Sequence, residues 1–198
     1  MRKYFYLICV MLMTMACAQK PVVIVQIADA QLGFDAAVKG SVPGAEYVND
    51  LTFEIECLKA TGAKVNELKP DMVVFTGDQV HLPYDKEQWD AFVQGIADIN
   101  PSIEQYHLPG NHDHILKDGT ADPQDFISRF GSDRFAVSKR NVNVVGINTS
   151  LIYFNSALEQ DQMVWLEETL EATEASDVTL IFGHHPFFCE NIDEEDSH

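Results

Sequence analysis

The sequence has few cysteines and few basic residues, and each shortage excludes a class of function. Its 198 residues include 4 cysteines, none in a Cys-x-x-Cys spacing, which excludes a zinc finger, a thiol redox pair and a disulfide framework. Lysine and arginine number 13 against 31 aspartates and glutamates, for a formal charge of -18. Because so acidic a chain repels phosphate backbones, general nucleic-acid binding is disfavoured. Any metal ion must be held by histidine and oxygen ligands.

Long apolar runs are also missing. The run from Tyr4 to Met13 is too short to cross a bilayer, which takes about 20 helical residues. Two basic residues precede it and the small residues 16–18 follow, an order typical of a secretory signal peptide. We predict a signal peptide at residues 1–18 and export to the periplasm or the extracellular space. Because the segment before Cys17 also resembles a bacterial lipoprotein box, a lipid anchor at Cys17 and a membrane-anchored lipoprotein are the alternative.

Hydrophobic residues make up 46% of the chain, which is enough for the core of a globular protein. The length fits one domain, which we place at residues 19–198. Short β-branched runs alternate with helical patterns from Pro21 onward, as in α/β folds. The predicted strands are Val22–Ile27, Met72–Phe75, Tyr106–Leu108, Phe135–Val137, Val142–Ile147 and Val178–Phe182. The predicted helices cover 51–68, 87–99, 123–130 and 160–175.

Unusual polar residues directly follow four of these strands. They are Asp29 and Gln31, Gly77-Asp78, Gly110-Asn111-His112-Asp113, and Gly183-His184-His185-Pro186. Since strand carboxyl ends in open α/β sheets line one edge, where ligand sites form, we expect these residues to converge. Glycine, asparagine and aspartate also end strands for structural reasons alone, so Asp29 or Asp78 by itself carries little functional weight. The four-residue word at 110–113 is the most specific signal.

The strand-end residues together offer carboxylates, neutral amide oxygens and imidazoles. This donor set suits manganese, iron or zinc ions and does not suit a soft thiolate site. The sequence therefore predicts a metal cluster at the edge of the sheet.

The same motifs resemble those of the calcineurin-like metallophosphoesterases. The matching segments are residues 28–33, 77–81, 110–113 and 184–188, and the acidic segment 192–196 is similar as well. The resemblance covers the chain from Val22 to its C-terminus. It implies an αββα sandwich of two mixed sheets flanked by helices, with two metal ions at the strand ends. It also implies hydrolysis of a phosphate ester on a small molecule or a phosphoprotein, by a phosphatase in preference to a phosphodiesterase.

The resemblance implies a ligand set for two divalent or trivalent ions of manganese, iron or zinc. Asp78 would lie between the ions, with Asp29 and Gln31 on the first and Asn111 and His184 on the second. The first histidine of the 184–185 pair is chosen because the family's ligand precedes x-Pro. Gln31 replaces the commoner histidine with an amide oxygen, which weakens the first site for zinc relative to harder ions.

The resemblance also implies the catalytic residues. A hydroxide held between two metal ions would attack phosphorus, and His112 would stabilise or protonate the leaving oxygen. Asp113 would orient His112 and raise its basicity. His81 could reach a substrate, but a structural role is the more ordinary interpretation. A general acid favours an enzyme over the second hypothesis, an exported metal- or ligand-binding protein that keeps the fold without turnover.

One motif of the family, Gly-His-x-His, is absent from these 198 residues. We expect it beyond residue 198 in a domain truncated at its C-terminus, with a catalytically retired protein as the alternative. Because this motif supplies one ligand to each ion, the chain as given is expected to bind metal weakly and to have little turnover. The sequence leaves open whether Cys57 and Cys189 pair in an oxidising compartment. It also leaves the oligomeric state open.

Overall fold

The computed structural model describes residues 20–44, 46, 48–116, 118–154, 156–173 and 178–186. Strands and helices alternate along these ranges, as the sequence predicts. In chain order they are β1 (Ile24–Ile27), α1 (Phe34–Gly40), α2 (Thr52–Leu68), β2 (Met72–Thr76), α3 (Lys86–Ile96), β3 (Glu104–Leu108), α4 (Asn111–His114), α5 (Gln124–Phe130), β4 (Phe135–Lys139), β5 (Val142–Gly146), α6 (Thr149–Tyr153), α7 (Glu159–Glu171) and β6 (Val178–Phe182).

The strands form two sheets of three. The first has the order β1-β2-β3 and is parallel throughout, with Ile24 opposite Met72 and Met72 opposite Glu104. The second has the order β4-β5-β6, with β4 antiparallel and β6 parallel to β5. All the parallel strands within a sheet therefore end at the same edge, which is the geometry that the sequence argument required.

Strand β2 is buried on both faces and ties the layers together. Because successive side chains of a strand point to opposite faces, Val73 and Phe75 join the core that packs under α2, α3 and α5. Met72 and Val74 instead join a second core, which includes Val144 of β5. The order of layers is thus helices, first sheet, second sheet. The predicted fold of two packed sheets with helices is confirmed, with the difference that the described strands of the first sheet are all parallel and not mixed.

The longer helices end where the sequence chemistry requires. Lys69 caps α2 in the left-handed conformation, with φ 49°, because the following Pro70 disfavours a helical residue before it. Asp85 begins α3 by accepting hydrogen bonds from the amides of Glu87 and Gln88. The short helices α1, α4 and α6 are not among the predicted elements.

Several sequence predictions fall outside the described residues. They include the signal peptide, Cys17, Cys189, and the motif residues 187–188 and 192–196. Cys57 is exposed on α2. Among the described helices, none combines the length and the apolar character needed to cross a membrane.

Candidate metal centre

Three predicted ligands from three different strand ends meet in space. Asp29 follows β1, Asp78 follows β2 and His184 follows β6, and one potential ligand atom from each lies within 4.8 Å of the other two. The Nε2 atom of His184 is 3.4 Å from Oδ2 of Asp78. The cluster therefore joins the two sheets, because β1 and β2 belong to one and β6 to the other.

The turn after β1 runs alongside the turn after β2 and is bonded to it through the main chain. The Asp29 amide donates to the Gly77 carbonyl at 3.1 Å, and the Gln31 amide donates to the Asp78 carbonyl at 2.8 Å. The Leu32 amide continues this pairing to the Gln79 carbonyl. The main chain of Gln31 is thus held against Asp78, beside the cluster.

Three of the predicted ligands have an unusual backbone conformation. Asp29, Gln31 and Asp78 have φ angles of 54°, 39° and 49°, in the left-handed region that residues with a Cβ rarely adopt. Such conformations cost on the order of 1–3 kcal/mol each and persist only where the surrounding structure enforces them. Strain at three neighbouring carboxylate and amide residues is typical of a functional site.

The turn at residues 110–113 reaches the cluster through close main-chain contacts. The His112 amide donates to Oδ1 of Asp78 at 3.0 Å. A Cβ on Gly110 would lie 2.1 Å from the same oxygen, so only glycine fits there. Asn111 stands between these two residues and is half-buried. The predicted ligand Asn111 is therefore carried by a turn whose neighbours on both sides touch Asp78.

The protonation of the cluster follows from its contacts. Nδ1 of His184 lies 3.0 Å from the Thr76 carbonyl oxygen, which can only accept, so Nδ1 carries a proton and Nε2 faces Asp78. Burial lowers the pKa of His184, but the hydrogen bond and charge of Asp78, with the charge of Asp29, raise it to about 9. Burial pushes the pKa of Asp78 up, yet His184 and His112 outweigh burial and lower it.

The cluster fits a metal ion by its donor chemistry. A metal-binding imidazole usually donates its other ring N–H to a carbonyl or carboxylate, and Nδ1 of His184 does so to Thr76. Two carboxylates and an imidazole suit manganese, iron or zinc, as the sequence predicts. The division of five ligands between two ions stays a prediction.

The structure places His112 beside the cluster but corrects the partner expected for it. Nδ1 of His112 lies 2.8 Å from the main-chain carbonyl of His81, and the two imidazole rings stack at 4.8 Å. Asp113 does not make this contact among the described residues. Its Oδ1 accepts from the amides of Gln79 and Val80, and its Oδ2 accepts from the amide of Gly110. Asp113 therefore organises the turns that carry Asp78 and His112, and orients the imidazole only through them.

Burial dominates the titration of the groups next to His112. It raises the pKa of Asp113, helped by the charge of Asp78, while the three main-chain donors act in the opposite direction. It lowers the pKa of His81, and the nearby His112 lowers it further. His81 is consequently a neutral, stacked neighbour at physiological pH, in line with the structural role expected for it.

Two residues that the sequence does not indicate as site residues, Thr149 and Thr76, hold the turn that carries His184 and His185. Thr149 accepts hydrogen bonds from the amides of both His184 and His185, at 3.0 and 2.8 Å. Thr76 holds the His184 ring through its carbonyl. The signal for Thr149 was present, because Asn148-Thr149 is a polar pair soon after β5, as the other site residues follow their strands. This pair lies outside the four strand-end motifs.

Comparisons with known proteins agree with the geometry. The family model of the calcineurin-like phosphoesterases matches residues 22–197. Serine/threonine-protein phosphatase CPPED1 of Mus musculus is 27% identical over 190 residues, which cover 90% of this chain and 60% of that protein. Within the family, the motif segments 28–33, 77–81, 110–113 and 184–188 resemble those of calcineurin-like phosphoesterase domain-containing protein 1 in particular, and this match supports that resemblance.

Two solved structures share the fold at low sequence identity. A purple acid phosphatase from yellow lupin superposes with a TM-score of 0.55 at 15% identity, covering 79% of this chain and 28% of that one. A dimetal phosphatase from Danio rerio gives 0.54 at 16% identity, covering 83% and 70%. The chain spans 60% of the length of the mouse relative. The family match over residues 22–197, together with the fold, shows that the chain belongs to the calcineurin-like phosphoesterase family.

Proposed function

We propose that the protein is a metal-dependent phosphoesterase that hydrolyses a phosphate ester, and a phosphatase in preference to a phosphodiesterase. The observation that carries the proposal is the meeting of ligand atoms of Asp29, Asp78 and His184 within 4.8 Å, with the main-chain amide of His112 donating to the same Asp78. The membership in the calcineurin-like phosphoesterase family and the similarity to a serine/threonine-protein phosphatase support it.

Five residues would hold two ions of manganese, iron or zinc. Asp29 and Gln31 would bind one, Asn111 and His184 the other, and Asp78 both. When bound, such a pair of ions supplies a hydroxide near neutral pH, by lowering the pKa of water to about 7, and stabilises charge on the phosphate oxygens.

The charges around the cluster explain why phosphate binding needs a cation there. Asp29 and Asp78 would repel an anionic substrate. The three arginines in the described part of the chain are paired elsewhere, Arg129 with Asp125, Arg134 with Asp161 and Arg140 with Asp71. We therefore expect the protein without metal to bind phosphate poorly.

His112 would stabilise or protonate the leaving oxygen. Because its Nδ1 proton is directed to the His81 carbonyl, Nε2 is the ring atom that can give a proton to the leaving oxygen or take one from it. Asp113 fixes the turn that carries the ring through its bond from the Gly110 amide. The His112 ring stacks on His81 at 4.8 Å, and the His81 ring meets Phe34 edge to face at 5.7 Å.

Hydrolysis of 4-nitrophenyl phosphate by the whole protein, with Mn²⁺ added or removed by a chelator, tests the proposal. Activity should require Mn²⁺, and bis(4-nitrophenyl) phosphate should be the poorer substrate. His112→Ala should lower kcat by roughly 10² or more, since general acid–base groups contribute 10²–10⁴, while its metal content stays unchanged. The control is His107→Phe, which removes a buried histidine outside the cluster and should keep kcat.

The outcomes separate the two hypotheses. Wild-type kcat in the His112→Ala variant would remove His112 from the mechanism. A protein that binds Mn²⁺ tightly but hydrolyses neither ester would instead be the exported metal-binding protein without turnover.

We also propose that the protein is exported. The order of basic, apolar and small residues at positions 1–18 supports this, and Cys17 offers the lipoprotein alternative. Mass spectrometry of the N-terminus of the protein recovered from its cells distinguishes them. Secretory cleavage would leave Gln19 first, and lipoprotein processing would leave an acylated Cys17.

A further inference from the structure

The hydroxyl of Thr149 is the acceptor for two consecutive main-chain amides in the turn that carries His184. Thr149 is the first residue of α6 and is 4% exposed. Its Oγ1 accepts from the His184 amide at 3.0 Å and from the His185 amide at 2.8 Å. A threonine hydroxyl has two acceptor positions, so both are used by this one turn. The same Oγ1 lies 3.3 Å from Nδ1 of His185.

These bonds form where the strand pairing stops. The register of β5 and β6 ends with Gly146 opposite Phe182, and the Ile147 amide makes one more bond, to the Phe182 carbonyl. Beyond Gly183, the amides of His184 and His185 bond to a side chain instead of a strand. Buried amides need such a partner. Thr149 thus continues the hydrogen bonding between the two segments beyond the ends of β5 and β6, as far as the candidate metal ligand His184.

His184 is therefore held at two points. Its main chain is bonded to Thr149, and its Nδ1 is bonded to the Thr76 carbonyl. Thr149 follows strand β5 of the second sheet, and Thr76 is the last residue of β2 in the first sheet. Together they direct Nε2 toward Asp78.

Thr149 is itself braced from a helix. The Asn148 amide donates to Oε1 of Gln162 at 2.7 Å, and Nε2 of Gln162 donates to the Asn148 carbonyl at 2.8 Å. Both Asn148 and Gln162 have no exposed surface. This reciprocal pair fixes the main chain immediately before Thr149 to α7. The Asn148 side chain also contacts His114 and Asp133.

We propose that Thr149 is a positioning residue for the metal centre, which sets the place of the His184 imidazole by holding two amides of its turn. The inference rests on the proposed function only in taking His184 as a ligand. Partners that orient metal ligands in this indirect way typically contribute 10–100-fold to metal affinity.

The test compares Thr149→Val, which keeps the shape and removes the hydroxyl, with Thr149→Ser, which keeps the hydroxyl. Thr61→Val is the matched control, because Thr61 is half-buried and its hydroxyl donates within α2, to the Cys57 carbonyl, away from the cluster. Hydrogen exchange of the His184 and His185 amides is measured by NMR in the metal-free full chain. The Mn²⁺ concentration that half-broadens the His184 imidazole signals is measured next, since this readout also suits weak binding.

We expect both amides to exchange at least tenfold faster in Thr149→Val, and the Mn²⁺ midpoint to rise by about 10–100-fold. Thr149→Ser and Thr61→Val should match the wild type in both. Should Thr149→Val fail to fold, Thr149→Ala takes its place in the comparison with Thr149→Ser, because water can enter where the hydroxyl was.

Unchanged amide exchange in Thr149→Val would overturn the inference. So would faster exchange with an unchanged Mn²⁺ midpoint, because Thr149 would then order the turn without positioning the ligand. If Mn²⁺ leaves the His184 signals of the wild type unaffected and the protein hydrolyses no ester, the proposed function fails. The exchange rates of the metal-free variants still decide in that case whether Thr149 holds the turn.

Discussion

Gly77 is the position where a single methyl group should damage the metal centre most. It immediately precedes Asp78 and has a φ of 99°, in the left-handed region. A Cβ at this position would lie 2.6 Å from Nδ1 of His184 and 2.8 Å from Cα of Gly110, both closer than real Cβ atoms come to other heavy atoms. Gly77→Ala therefore combines backbone strain with two collisions, each on a part of the site.

The two contributions can be separated with a matched glycine. Gly119 has a φ of 81° and no heavy atom within 4 Å of its would-be Cβ, so Gly119→Ala adds strain alone. That strain costs roughly 1–2 kcal/mol. Overpacking adds typically 1–3 kcal/mol at Gly77, which gives roughly 2–5 kcal/mol in total. The His184 ring can relieve its collision only by leaving the Thr76 carbonyl, whereas Gly110 is backbone and cannot swing away.

Urea unfolding of wild type, Gly77→Ala and Gly119→Ala measures the difference directly, and titration with Mn²⁺ reports on the site. Gly77→Ala should lose about 1–3 kcal/mol more than Gly119→Ala and should bind Mn²⁺ at least tenfold more weakly. Gly119→Ala should bind Mn²⁺ like the wild type. Equal losses of stability in the two variants, or unchanged Mn²⁺ binding in Gly77→Ala, would refute the close packing of His184 on Gly77.

Two further predictions concern pH. Burial lowers the pKa of His107 to about 3, with its ring stacked between Phe75 and Phe130. The unfolded chain takes up this proton below about pH 6.5 and the folded chain does not, so roughly 2 kcal/mol of stability is lost between pH 7 and pH 5. Urea unfolding should show that His107→Phe removes this loss, and an unchanged pH dependence would contradict it. The hydrogen bond from Arg140 holds the pKa of Asp71 at about 2, so the pair stabilises the fold above about pH 4 and loses this effect as the pH falls toward 2. Asp71→Asn should cost about 1 kcal/mol at pH 7, the range for a partly exposed ion pair, and less at pH 3; a constant difference would count against it.

The elements that position the site could be predicted because apolar, β-branched runs leave a clear pattern in the sequence. The strand β6 has the predicted bounds, and β2 differs from its prediction by one residue. Polar residues after apolar runs gave Asp29, Asp78 and His184, and parallel pairing placed the first two at one edge of a sheet. A strand that is buried on both faces, such as β2, is a strong signal, because its residues form a continuous apolar run.

The contacts around those residues could not be predicted in the same way. The sequence predicts Asp113 as the partner of the His112 ring, but its carboxylate accepts hydrogen bonds from three main-chain amides, and the His81 carbonyl accepts the hydrogen bond from the imidazole. Sequence spacing places residues on a turn and does not tell which way a side chain points. The two amides that bond to the Thr149 hydroxyl lie 35 and 36 residues away, so local spacing in the sequence does not reveal these contacts.

The location of Asp78 explains why the strain of the site is tolerated. The strand before it, β2, is the middle strand of its sheet and contributes to both cores, so its end is fixed from two sides. Asp29 is paired to this end through the Gly77 carbonyl, and His184 reaches it from the other sheet through the Thr76 carbonyl. The left-handed backbone of Asp29 and Asp78 is therefore enforced by burial elsewhere in the fold. A metal centre built at this junction would have its geometry set by the packing of the two sheets against each other, and not by the conformation of any single loop.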